Sequence, residues 1–199
     1  MIATALLVRH AAHAELGTLL SGRRRDVALS REGLDQAAIV ADLLSTAPIA
    51  AVYSSPRERA WYTARDIAEP HGLKVRIDEG LDEVDFGAWS GLSFAQLDSD
   101  PDWQAWNEAR GSARAPGGET MGEAVARATA SLAEMAREHD GETFVAVSHC
   151  DIIRGVIAHH LGLPLDHLLR LEVDPASVSR IEIGPGGARI LSVNERLYQ

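Results

Sequence analysis

The chain of 199 residues contains one cysteine, Cys150, so an internal disulfide and multi-cysteine metal sites are excluded, and the usage fits a reducing compartment. Long apolar runs are missing too. No stretch approaches the roughly 18 apolar residues of a membrane span, and the first residues lack the basic start and small-residue cleavage site of a secretory signal. A cytoplasmic location is therefore the expectation. Basic charge is in deficit: 19 Lys and Arg against 29 Asp and Glu leave a net charge of −10, which argues against nucleic acid as a partner. The local exception is Arg23-Arg24-Arg25. Repeats and low-complexity linkers are also absent. What is present, 46% hydrophobic and 24% charged residues, can bury a sizeable core as one domain.

Apolar runs alternate with helical periods. Residues 2–8 read as a buried strand. Ser30 then caps a helix on which Leu34, Ala37, Ala38, Ala41 and Leu44 face one way, and Pro48 closes it. A strand at 49–53, a helix at about 58–69 and a strand at 73–77 follow. From 81 to 118 the Trp and Gly content predicts loops and short helices, ending in the turn Pro116-Gly117-Gly118. A helix at about 120–139, a strand at 143–147, a helix at 151–161 and a hairpin of 178–183 with 188–193 complete the chain. This alternation implies a layered α/β sandwich with a largely parallel sheet.

Three strand ends carry the chemistry. The first strand leads into Arg9-His10, the second into Ser54-Ser55-Pro56 with Arg57 and Arg59, and the late strand into Ser148-His149 at a helix mouth. Parallel strands bring these ends to one sheet edge. There, imidazoles, guanidinium groups, hydroxyls and the free N–H groups of a helix start would suit a phosphoryl group.

At these residues the chain resembles the histidine phosphatase superfamily, the phosphoglycerate mutase-like proteins. The shared motifs, in order, are Leu7-Val8-Arg9-His10; Ser54-Ser55-Pro56 with Arg59-Ala60 and Thr63-Ala64; Glu83 with Phe86-Gly87 and Trp89-Ser90-Gly91; Pro116-Gly117-Gly118-Glu119; and Val147-Ser148-His149 with Arg154. The resemblance implies a three-layer α/β/α sandwich around a mixed, largely parallel sheet, with residues 1–199 as one domain and a cap from about 81 to 118. It implies His10 as a nucleophile forming a phosphohistidine, which splits one displacement into two easier ones. Arg9 and Arg59 would grip the nonbridging oxygens, and His149 would donate to the phosphoryl group. The backbone of Cys150, at the helix start, and Ser21-Gly22, in the family's substrate loop, would add contacts. Glu83 would be the general acid and then the base that activates water, with Asp82 and Asp85 as shorter alternatives. Two arginines can take the place of a metal, so no metal or other cofactor is implied.

Several residues depart from the family or compete with it. The family's Asn after the nucleophile is missing from Ala11-Ala12-His13-Ala14-Glu15-Leu16, and His13 is a candidate replacement. Arg57 rivals Arg59 but reads as a solvated helix-start residue. Arg23-Arg24-Arg25 could read a second anionic group, although such loop residues are more often solvated. Cys150 lies four positions before Arg154, too close for a cysteine-phosphatase loop, and reads as a packing residue. His159, His160 and His167 read as surface residues.

The region 92–115 is short and acidic for the basic insertion of a mutase, which favours a phosphomonoesterase acting on a small phosphorylated metabolite. The alternatives are a phosphoglycerate mutase-type phosphomutase, a metal-dependent hydrolase built on His10, His13 and His149, and a catalytically silent phosphate-binding module. A homodimer is compatible with the sequence, which carries no signal for one.

Overall fold

The computed structural model describes residues 1–196. Six strands form one mixed sheet: β1 (Ala3–Arg9), β2 (Ile49–Ser54), β3 (Val75–Ile77), β4 (Thr143–Ser148), β5 (Val178–Gly184) and β6 (Gly187–Glu195). Their order is β3-β2-β4-β1-β5-β6. The first four strands in that order run parallel, whereas β5 and β6 form an antiparallel hairpin on β1.

The inner strands are apolar along nearly their whole length because both sheet faces are covered. In β4 every residue after Thr143 is buried. Alternate residues feed two cores. Leu6, Val8, Val52, Val145 and Val147 pack with α1 (Arg31–Leu44) and α2 (Glu58–Ala68). Ala3, Ala5, Leu7, Phe144 and Ala146 pack on the other face with α5 (Met121–Glu138) and α6 (Cys150–Leu161). Each fully buried aliphatic side chain contributes about 1.5–3 kcal/mol.

The predicted elements form within a few residues of their expected bounds. Ser30 caps α1 by accepting from the Gly33 N–H, and Thr120 with Glu123 makes a capping box on α5. The buried stripe of α1 differs from the predicted one. Gly33, Gln36, Ala37, Val40, Ala41 and Leu44 face inward, whereas Leu34 and Ala38 are exposed. Gln36 holds an inward position because its side-chain oxygen accepts from the Ala12 N–H at 3.0 Å. Counting apolar residues alone misses such a pairing.

Between β3 and α5 lie tight turns and two short helices, α3 (Phe94–Leu97) and α4 (Pro101–Glu108). Phe86, Trp89, Trp103 and Trp106 pack against one another here, with ring centroids 5.2–6.3 Å apart. All four belong to the core that also contains α5 and α6.

Candidate active site

Backbone hydrogen bonds stitch the three strand ends together. The His10 N–H donates to the Ser148 carbonyl at 2.9 Å, and the Ser55 N–H donates to the Val147 carbonyl at 3.0 Å. Thr63 of α2 locks the next turn, accepting from the Ala11 N–H at 3.1 Å while its hydroxyl donates to the Arg59 carbonyl. Arg9, His10, Arg59, Glu83, Ser21, Gly22 and Cys150 all line one cavity of about 240 Å³. That volume lies below the roughly 300–1,000 Å³ of drug-sized pockets and suits a small ligand.

Arg59 is buried at the centre. Its Nε lies 3.2 Å from His10 Nε2, its Nη2 donates to the Gly22 carbonyl at 2.7 Å, and the same Nη2 lies 3.2 Å from His149 Nδ1. Gly22 has φ +48°, and a Cβ there would sit 2.8 Å from Ser90 Oγ, so glycine lets this loop approach the guanidinium. Ser21 hydrogen-bonds Glu15 at 2.8 Å.

The tautomers follow from the partners. His10 Nδ1 lies 2.8 Å from the Ala11 carbonyl, which can only accept, so Nδ1 carries the proton and Nε2 the lone pair. Burial first, then the charges of Arg59 and Arg9, hold the His10 pKa well below 6.5, and the ring is neutral near pH 7. A guanidinium can only donate, so His149 Nδ1 accepts from Arg59. Its Nε2–H then donates to Ser55 Oγ at 2.8 Å, and the Ser55 hydroxyl donates to Asp82 Oδ1 at 3.2 Å. Burial and the Arg59 charge keep His149 neutral as well.

Glu83 accepts from the Val84 N–H at 2.9 Å, and its other oxygen lies 3.9 Å from His149 Nδ1. Burial, then the charge of Asp151, pushes its pKa up to about 7. A carboxyl poised near neutrality can give and take a proton. Asp82, weighed as an alternative, is buried and spends its oxygens on Arg57 at 2.8 Å, the Glu83 N–H and Ser55.

Arg57 is not the solvated residue that the sequence predicts. It is buried, pairs with Asp82 and donates to the Arg23 carbonyl. The expectation for the basic triplet also changes. Arg23 donates to the Glu83 carbonyl and to Glu119, each at 2.8 Å, and Arg24 pairs with Glu15. Arg23 and Arg24 therefore brace the loop, Arg25 is exposed as expected of a solvated loop residue, and none of the three lines this cavity.

His13 does reach the site. Its ring centroid is 5.3 Å from that of His10, its buried Nδ1 has no partner, and burial lowers its pKa to about 4. Cys150 opens α6 at a helix start without a side-chain cap, which leaves N–H groups available to an anion. Its thiol donates to the Val173 carbonyl, and burial pushes its pKa up to about 11, so it is no thiolate nucleophile. Sequence reasoning missed Arg110 and Asp151 on the cavity wall, and gave Arg154 no role of its own there. Asp151 and Arg154 share the first turns of α6, a spacing that could have paired them, and Arg110 stands four residues after the Trp106 ring it packs on, but nothing in the sequence points from it to Asp151.

Among the described residues no group of three or more His, Cys, Asp or Glu is placed to hold a metal ion. His10 and His149 instead turn their lone pairs toward a guanidinium, which would repel a metal cation. No helix among the described residues is long and apolar enough to cross a membrane.

The family model of the histidine phosphatase superfamily (branch 1) matches residues 5–196, and the chain belongs to that superfamily. Its activity class is that of a phosphatase, a phosphoric monoester hydrolase. The chain is 32% identical over 171 residues to phosphoserine phosphatase 1 of Hydrogenobacter thermophilus, covering 85% of this chain and 81% of the relative. It is 33% identical over 202 residues to a bifunctional protein of Mycobacterium tuberculosis, covering 97% of this chain but only 54% of that longer protein. Among solved structures, a mycobacterial glucosyl-3-phosphoglycerate phosphatase superposes with a TM-score of 0.85 at 29% identity, covering 98% of this chain and 99% of that one.

Proposed function

We propose that the protein hydrolyses a small phosphorylated metabolite through a covalent phosphohistidine on His10, with Glu83 as general acid and base. The observation that carries this reading is the His10 Nδ1–H bond to the Ala11 carbonyl, which leaves a neutral Nε2 lone pair beside the Arg59 guanidinium.

In the first step His10 Nε2 attacks phosphorus, the P–O ester bond breaks, and protonated Glu83 gives its proton to the departing alkoxide. Arg9 and Arg59 neutralise the equatorial oxygens, with the helix-start N–H groups of α6 and the unpartnered His13 Nδ1 as further contacts. In the second step ionised Glu83 takes a proton from water, whose oxygen attacks the phosphohistidine and releases inorganic phosphate with neutral His10. The proton count closes over the two steps. Outside that count, His149 takes up one proton from solvent when a bound dianion opposes the Arg59 field, donates to the phosphoryl group and returns the proton as phosphate leaves.

Hydrolysis is favoured over mutase transfer because the segment 92–115 packs its tryptophans into the core and holds Arg114 on Glu123. Of the two arginines in that segment, only Arg110 lines the cavity. The relatives named for phosphoserine and glucosyl-3-phosphoglycerate support a small phosphorylated substrate.

Rapid-quench labelling with radioactive substrate tests the mechanism. The expected result is an alkali-stable, acid-labile phosphoenzyme that forms within the first turnover and is absent from His10→Ala. A His10→Ala variant that hydrolyses an aryl phosphate as fast as the parent would overturn the reading.

A further inference from the structure

Residues 82–86, which carry the proposed acid, belong to neither helix nor strand, so no ladder of backbone bonds holds them in place. Glu83 has few side-chain anchors of its own. Oε1 accepts from the adjacent Val84 N–H at 2.9 Å, and Oε2 lies 3.9 Å from His149 Nδ1. The direction of its carboxyl is therefore set by its backbone, and that backbone is pinned by charged side chains. On one side the Glu83 N–H donates to Asp82 Oδ1 at 2.8 Å. On the other the Glu83 carbonyl accepts from Arg23 Nε and Arg127 Nη2, each at 2.8 Å.

Two guanidinium groups on one carbonyl oxygen repel each other. Glu119 holds them together. Its Oε1 accepts from Arg23 Nη2 and Arg127 Nη2 at 2.8 Å each and from the Asp85 N–H at 2.9 Å, while Oε2 meets Arg127 Nε at 3.3 Å. One carboxylate thus joins the loop of Arg23, the segment of the acid and helix α5. The Glu119 N–H adds a bond to the Asp85 carbonyl at 2.9 Å. The turn before it lies directly on the same segment, since a Cβ at Gly118 would sit 2.0 Å from the Asp85 carbonyl oxygen. Asp82 and Asp85 approach Arg23 only at 3.6 Å, too far for a hydrogen bond, and do not substitute for Glu119. Glu119, Arg23 and Arg127 do not line the cavity, so their route to the substrate runs through Glu83.

We infer that Glu119 is a positioning residue for the reaction: with Arg23 and Arg127 as its two arms, it fixes the Glu83 backbone and so aims the carboxyl at the leaving-group oxygen. This rests on the reading of Glu83 as general acid above. Glu119→Gln keeps the size and one acceptor oxygen but loses the charge that gathers both guanidinium groups. The arms then relax apart and the acid drifts, and a displacement of about 1 Å costs on the order of 100-fold in rate.

The test compares kcat/KM for an aryl phosphate, whose leaving group departs without a proton, and an alkyl phosphate, whose leaving group needs one. In Glu119→Gln the alkyl value should fall roughly 10- to 100-fold, with the aryl value within a few-fold of the parent. Placed on Glu83→Gln, the same substitution should cost nothing further, because the group it positions is already gone. A merely structural role predicts losses that are equal for the two esters and that multiply in the double variant, and either result overturns the inference. Should Glu119→Gln fail to fold, Arg127→Met, which removes one of the two donors on the Glu83 carbonyl, takes its place and is read in the same way. An alkyl-to-aryl ratio that changes in Glu83→Gln but not in Glu119→Gln overturns the positioning role alone. A ratio unchanged in Glu83→Gln itself overturns the acid assignment, and the positioning role with it.

Discussion

Arg59 Nε lies 3.2 Å from His10 Nε2, so a cation, and not a base, faces the lone pair of the proposed nucleophile. Burial first, and then the Arg59 charge, keeps the imidazole unprotonated, and the contact positions a donor where phosphoryl oxygens would arrive. Arg59→Lys keeps the charge but loses the fork that reaches His10, Gly22 and His149 together. We expect kcat to fall by roughly 10²–10³-fold with the fold intact. Steady-state kinetics beside circular dichroism check this, and a variant within a few-fold of the parent would remove Arg59 from the chemistry.

Burial and then the charge of Asp151 push the Glu83 pKa up to about 7, and its protonated form is the proposed acid. The kcat/KM profile should therefore fall as pH rises through about 7, and Glu83→Gln should lose that limb. The loss of activity should be larger for an alkyl phosphate than for an aryl phosphate, whose leaving group needs no proton. Stability gives an independent reading. Because the folded pKa is raised from 4.5 to about 7, the contribution of Glu83 is present below pH 4.5 and is lost as pH rises to about 7. Thermal melts across that window should show a decline that Glu83→Gln does not share.

His149 is neutral in the free protein because burial and Arg59 lower its pKa well below 6.5. A bound dianion should raise it, so vanadate binding near pH 7 should take up protons. Calorimetry in buffers of different ionisation enthalpy measures the uptake. Ser55→Ala should alter it by breaking the path from His149 to Asp82. Proton-neutral binding would show that His149 does not become a donor.

Arg57 and Asp82 form a buried ion pair at 2.8 Å, with side chains 9% and 3% exposed. Removing one partner strands the other charge, so Arg57→Ala should destabilise by about 3–5 kcal/mol in denaturant unfolding. A loss below about 1 kcal/mol, the range of a surface pair, would show that water reaches Asp82.

Chelation provides a further check. A mechanism carried by His10, Arg59 and Glu83 should keep its rate after exhaustive treatment with a strong chelator. Loss that zinc or magnesium restores would return the metal-dependent alternative to consideration.

The sequence shows the strand ends clearly because β1, β2 and β4 are near-continuous apolar runs that break off at Arg9-His10, Ser54-Ser55 and Ser148-His149. It misleads where a polar group finds a distant partner. Arg57 looks like a helix-start residue until Asp82 is brought beside it, and Gln36 looks exposed until it meets the Ala12 backbone. Arg23 is similar: a loop cation in the sequence, it is pinned on Glu119 and the Glu83 carbonyl in the fold. Arg110 is the hardest to foresee: Trp106 stands four residues before it, but its charged partner Asp151 comes from α6 and no spacing points to it.

The tryptophans beside Arg110 share one core with α5 and α6, so this wall of the cavity is not a detachable flap. Cavity shape and global cohesion draw on the same side chains. Mutations that reshape the wall to admit a bulkier ester would loosen the helical layer beneath it. New specificities should therefore arise more readily in variants that first gain stability elsewhere, and the fluorescence of the buried tryptophans should fade in the same transition that unfolds the helices.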